Sequence, residues 1–218
     1  MKKHIILIII ILISTVSAFA QQAVITEMTG TVEVKNADAS VWTAARTGME
    51  IDKNTALSTG FRSSVVIKIG KSVITVKSLT CLSIEEIVSL QENERIIFTM
   101  QTGRIRTQVN PPTGIKTDFT VRSPSVNASV RGTEFEFDTI NLAVIDGEIW
   151  YESPPGSTAA VRYGETSRVN ELNYVVSSPR DEAAERLVPR LPIGTELEET
   201  GGGLITRDGF TISAGWGD

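Results

Sequence analysis

Between Phe119 and Asp138 the chain alternates apolar and polar residues three times in succession, and no other feature narrows its fold as far. Phe119 and Val121 alternate with Thr120 and Arg122. Val126, Ala128 and Val130 alternate with Asn127, Ser129 and Arg131. Phe135 and Phe137 alternate with Glu134, Glu136 and Asp138. A period of two sends one set to each face of a pleated strand. Pro124 lacks an N–H and separates the first two runs. Gly132 separates the second from the third, and the apolar parity slips by one across it, as at a bulge or sharp corner.

The same alternation recurs along the chain. Gly30 stands at the entrance of a strand carrying Val32 and Val34, and a short strand is expected at Ala56 to Ser58. Val65, Ile67 and Ile69 share a face, and Gly70-Lys71 reads as a tight turn into Val73 to Val76. Leu79 to Ile84 is the next run, with Cys81 expected inside the core. Trp42 is expected to cover one end of that core. Glu85 and Glu86 are adjacent and should face opposite ways. Thr102-Gly103 lies between two runs and reads as a hairpin. Asn141 to Asp146 and Glu148 to Glu152 meet at Gly147, and Ala159 to Arg162 and Thr166 to Val169 follow. Gly30, Gly103 and Gly147 each precede a spacer and an alternating run, a loose repeat with unequal spacing. The expected fold is all-β, an irregular β-solenoid or a β-sandwich of many short strands, with a short C-terminal helix and tail. The helix is expected at Asp181 to Leu187, and short strands at Leu204 to Thr206 and Phe210 to Ser213 in a Gly-rich tail.

The domain boundaries follow: a leader at 1–20, a β domain at 21–176, and helix and tail at 177–218. Lys2 and Lys3, the apolar run Ile5 to Ile13 and Ala18-Phe19-Ala20 have the order of a secretory signal peptide, with cleavage after Ala20. The protein is therefore expected in the periplasm or secreted, with no stable membrane span once cleaved. If the segment stays, it is an anchor. Cleavage removes two lysines and takes the formal net charge from −5 to −7. That balance disfavours nonspecific nucleic-acid binding and electrostatic adsorption to anionic lipid.

Chemistry is narrowed by what is missing. The one histidine is His4, inside the leader, and the one cysteine is Cys81. Beyond the leader the chain has no imidazole, no partner for an intrachain disulfide, and no Ser-His or Cys-His pair. No cofactor and no metal is expected. Glu134 and Glu136 share a strand face, about 7 Å apart from a rise near 3.4 Å per residue. That spacing is open to a carboxylate-dependent hydrolase of envelope glycans, although alternating acids also keep a sheet face soluble. Arg131, beside Gly132, is expected to lie against Asp146 or Glu148 and hold the corner, or to hold a partner's carboxylate.

Ser123-Pro124, then Val130-Arg131-Gly132-Thr133 with Phe135, then Val144 to Ile149 around Asp146 and Gly147, resemble the FecR domain of bacterial periplasmic proteins. That family usually has Glu where Asp146 stands. The resemblance extends through Gly30 to Val34, Trp42, Gly48, Leu57 to Gly60 and Gly103 to Ile105, and spans about Val24 to Val169. It implies a periplasmic β domain of the kind that, in its best-known relatives, relays a signal from an outer-membrane transducer to a cytoplasmic sigma factor. That relay needs a cytoplasmic N-terminal segment and a transmembrane helix, which a cleaved leader does not provide. The expected function is therefore a non-enzymatic exported domain that binds, scaffolds or senses in the cell envelope. Its partner would be an envelope protein or polymer. A membrane-anchored signalling protein is the alternative if the leader is kept.

Overall fold

Alternation becomes burial in the computed structural model, which describes residues 22–89, 93–180, 182, 204–207 and 210–213. Val65, Ile67 and Ile69 are fully buried, as are Phe119, Val121, Val126 and Ala128. The first strands are β1 (Ala23–Thr29), β2 (Val32–Lys35), β3 (Thr43–Ala44), β4 (Glu50–Ile51), β5 (Ala56–Thr59) and β6 (Ser64–Ile69). Then come β7 (Ser72–Val76), β8 (Cys81–Ser89), β9 (Asn93–Thr102), β10 (Ile105–Gln108), β11 (Lys116–Arg122) and β12 (Asn127–Val130). The series closes with β13 (Glu134–Phe137), β14 (Asn141–Asp146), β15 (Glu148–Glu152), β16 (Thr158–Arg162) and β17 (Thr166–Arg168).

These strands form two sheets. The first has the order β17-β14-β13-β10-β7-β6-β1-β4, and the second β16-β15-β12-β11-β9-β8-β5-β2-β3. Their inner faces close over one apolar core. Across it, Phe119 of the second sheet meets Phe135 of the first at 6.2 Å between ring centres, and Tyr151 meets Phe137 at 6.3 Å. Of the pairs within the two sheets, β9 with β11 is parallel and the others are antiparallel. Stacked solenoid coils would pair in parallel, so the architecture is a sandwich.

The loose glycine repeat marks where the chain leaves one sheet for the other. β1 passes to β2 at Gly30, β9 to β10 at Gly103, and β14 to β15 at Gly147. Thr102-Gly103 is therefore a crossing and not the expected hairpin: β9 and β10 never pair. A crossing needs one sharp reversal of backbone twist, which Gly103 provides at φ +99°. Each glycine corner nests against a second crossing that carries a left-handed residue and then a hydroxyl residue. These are Arg62-Ser63 (φ +51° at Arg62), Leu79-Thr80 (φ +57° at Leu79) and Gly132-Thr133 (φ +65° at Gly132). The Thr31 N–H donates to Ser63 Oγ at 2.8 Å, and the Arg104 N–H to Thr80 Oγ1 at 3.0 Å. At the third pair Thr133 Oγ1 donates to the Glu148 carbonyl at 3.4 Å. The first two pairs adjoin on one rim, where the Leu79 N–H meets the Gly60 carbonyl at 3.3 Å. The third lies on the opposite rim, because β10 runs antiparallel to β13 and brings Val109 to Thr133.

Other expectations are corrected. Cys81 is half-buried and its Sγ points toward Gln101 Oε1 at 3.8 Å, outside the core. The strand begins after left-handed Leu79, so Leu82 and Ile84 take the inward parity and Leu79 is exposed. Glu85 and Glu86 fall at a bulge in β8, which lets Ile84 and Ile87 both pack toward the core. Glu85 then accepts from Arg122 at 2.8 Å. Trp42 is half-buried with Lys35 Nζ 5.4 Å from its ring centre. Tyr151 donates its hydroxyl to the Ile140 carbonyl, and burial pushes that hydroxyl above the usual phenol range.

One compact unit ends at Ala183 and another begins at Ala184. In the second, β18 (Leu204–Arg207) pairs antiparallel with β19 (Phe210–Ser213), where the two short tail strands are expected. The leader and, apart from Glu182, the expected helix lie outside the described residues.

Candidate functional site

β11, β12, β15 and β16 lie side by side in the second sheet. Their inward residues, among them Phe119, Ala128, Ile149 and Val161, are committed to the core. The outward residues form a face open to solvent. Registers align Thr120 with Ser129, Ser129 with Trp150, and Trp150 with Ala160. Small neighbours on both sides leave the Trp150 indole uncovered, and the residue is 62% exposed. Tyr151 and Ile149 take the inward positions of the same strand, so the outward parity of Trp150 is dictated by the pleat.

An open concavity of about 470 Å³ lies beside the indole, lined among others by Asp118, Thr120, Ser129, Arg131 and Glu148. Arg131 Nε stands 3.6 Å from Asp118 Oδ1, and Arg162 Nη2 stands 3.7 Å from Glu148 Oε1. Both separations exceed hydrogen-bond length, so these guanidinium and carboxylate groups retain capacity to bond something else. The two cations and two anions cancel. The indole therefore offers a flat apolar surface ringed by donors and acceptors of both signs, suited to recognition by contact.

The motif residues mostly serve the fold. Val130, Thr133 and Phe135 are buried. Gly132 sits at the crossing against the Pro111 ring, and Gly147 lies under Thr133, whose Cγ2 would be 3.0 Å from an added Cβ. Pro124 is exposed in a turn where Ser123 Oγ accepts the N–H groups of Ser125 and Val126. Asp146 is exposed and sits opposite Glu134 in register. Arg131 departs from expectation. Its side chain is 84% exposed and approaches Asp118, not Asp146 or Glu148. The β11–β12 register places Asp118 beside it, while Glu148 is drawn toward Arg162. Arg131→Ala should therefore cost less than about 1 kcal/mol in a urea melt, as exposed ion pairs do. A loss of several kcal/mol would restore the corner-holding role.

Glu134 and Glu136 do share an outer face, on the first sheet, where they flank Arg106; Glu136 lines an open concavity there, and Glu134 is not in its lining. Arg106 Nη2 is 2.6 Å from Glu134 Oε1, and its Nη1 is 3.8 Å from Glu136 Oε1. The hydrogen bond to Glu134 raises the Arg106 pKa further, with the Glu134 charge adding to it. Both carboxylates are thus turned toward one guanidinium on an outer sheet face. No group of three or more Cys, His, Asp or Glu able to hold a metal occurs among the described residues. Trp150 was the residue to find from sequence, since an outward Trp in an otherwise alternating strand is legible there.

A family model described as FecR protein matches residues 31–149, from the entrance of β2 into β15. Two crystal structures of a candidate anti-sigma factor from Parabacteroides distasonis ATCC 8503, at 2.50 and 1.65 Å resolution, are similar in part. Each is 16% identical with a TM-score of 0.47. The alignments cover 56% and 60% of this chain, and 57% and 64% of those chains. The chain thus spans less than two thirds of their length. No curated protein matches it.

Proposed function

Because the chain belongs to the FecR family, we propose that it is a non-enzymatic exported domain that binds, scaffolds or senses in the bacterial cell envelope. The outer face of the second sheet is its contact surface. The observation that carries this reading is the uncovered Trp150 indole among unsaturated donors and acceptors. Exposed aromatic residues with polar surroundings are the side chains that most often anchor binding. The ligand is an envelope protein or polymer with an apolar patch and hydrogen-bonding groups. Export accords with the order of residues in the first twenty positions.

The test compares the chain from Gln21 with its Trp150→Ala variant, both immobilised and exposed to solubilised envelope fraction. Trp150 is outside the core, so the variant should melt within about 0.5 kcal/mol of the parent. A component held by the parent should be released at least about tenfold more readily by the variant, as a loss of 1.4 kcal/mol or more implies. Equal retention by both proteins would reject this face. Turnover of an envelope glycan that disappears in Glu134→Gln would reject the non-enzymatic reading. N-terminal sequencing of exported material, with Gln21 first, checks the leader separately.

A further inference from the structure

From the rim opposite Gly132, we propose a second contact site: the edge formed by Phe61, Arg62, Lys77 and Leu79 docks on an anionic lipid surface. The three crossings of this type differ at their left-handed residue. The third uses Gly132, which adopts φ > 0 without steric cost, whereas the second uses Leu79 at φ +57°. Leu79 is 59% exposed, so burial within the domain does not compensate for that conformation. Phe61 is 73% exposed one residue from left-handed Arg62. The Leu79 N–H bond to the Gly60 carbonyl holds the two loops together. Strained backbone that presents apolar side chains to solvent is an arrangement found at contact sites.

The charges choose the occupant. The Arg62 guanidinium lies 5.2 Å from the Phe61 ring centre, and Lys77 is two residues from Leu79. Neither cation makes an ion pair among the described residues. The two acids that line the concavity beside Lys77 and Leu79, Asp138 and Glu136, are each approached by another arginine, Arg104 at 3.1 Å and Arg106 at 3.8 Å. Uncompensated positive charge thus flanks two projecting apolar side chains, the pairing that suits a bilayer interface with acidic headgroups. The acidic balance of the whole chain does not forbid this, since screening confines interactions between exposed charges to roughly 8–10 Å. No helix among the described residues is long and apolar enough to cross a membrane.

Co-sedimentation of the chain from Gln21 with vesicles tests it, using phosphatidylglycerol mixed with phosphatidylethanolamine against phosphatidylcholine alone. The parent should partition onto the acidic vesicles and release as salt rises. Leu79→Gly and Phe61→Ser should each bind at least about tenfold more weakly. Leu79→Gly removes the strained conformation and should melt about 2–4 °C higher than the parent, so its lost binding cannot reflect unfolding. Trp150→Ala should bind these vesicles as the parent does, which keeps this site distinct from the face above. If the parent stays in solution with acidic vesicles, or both rim variants bind as it does, the rim does not dock on lipid.

Discussion

Gly103→Ala is expected to lower the melting temperature by about 10 °C or more, or to abolish the folded state. An added Cβ would stand 2.2 Å from Thr80 Oγ1 and 2.3 Å from Thr80 Cα. The second distance decides the size of the effect, because a backbone atom cannot rotate away. Gly103 also holds φ +99°, which L-residues rarely adopt. Together these place the loss at about 4 kcal/mol or more, the range of severe overpacking and strain. Gly114→Ala is the control. It has φ +81° with nothing within 4 Å of the added Cβ, so only the backbone cost of about 1 kcal/mol applies. Thermal melts followed by circular dichroism should separate the two clearly. Similar melting of both variants would mean that the crossing at Gly103 does not pack on Thr80.

Phe119→Ala should remove about 3–5 kcal/mol of stability, seen as a lower urea midpoint at unchanged slope. The ring is fully buried. It meets Phe98 of its own sheet at 5.7 Å and Phe135 of the facing sheet at 6.2 Å. Its strand, β11, joins β9 in parallel and β12 in antiparallel fashion. Deleting the ring therefore opens a cavity at a point that both sheets share, and rigid strands on either side resist collapse into it. A loss below about 1.5 kcal/mol would indicate that the sheets slide closed, and that the cross-core contact matters less than its position implies.

A sequence is most legible where the physics is local. Val65, Ile67 and Ile69 could be placed inward because a pleat alternates whatever its partner. The parity slip at Gly132 announced a corner before any partner was known. Thr102-Gly103 is not legible in this way, since a glycine between two β runs serves a hairpin and a sheet crossing equally well. Cys81 leaves the core because left-handed Leu79 ends the previous segment and resets the parity. Arg131 approaches Asp118 instead of the expected Asp146 or Glu148 because a long side chain reaches whatever the neighbouring strand brings.

From sequence alone came the inward and outward sets, the positions of the reversals, and the lack of imidazole beyond the leader. Tertiary structure alone decided which strands became neighbours. It set β9 beside β11 and nested Thr80 on Gly103, and it brought Phe61 and Leu79 to one rim. Side-chain parity is a property of a few consecutive dihedral angles. Strand pairing is settled only when distant segments close the core and satisfy one another's N–H and C=O groups, and that choice is written in no single stretch of the chain.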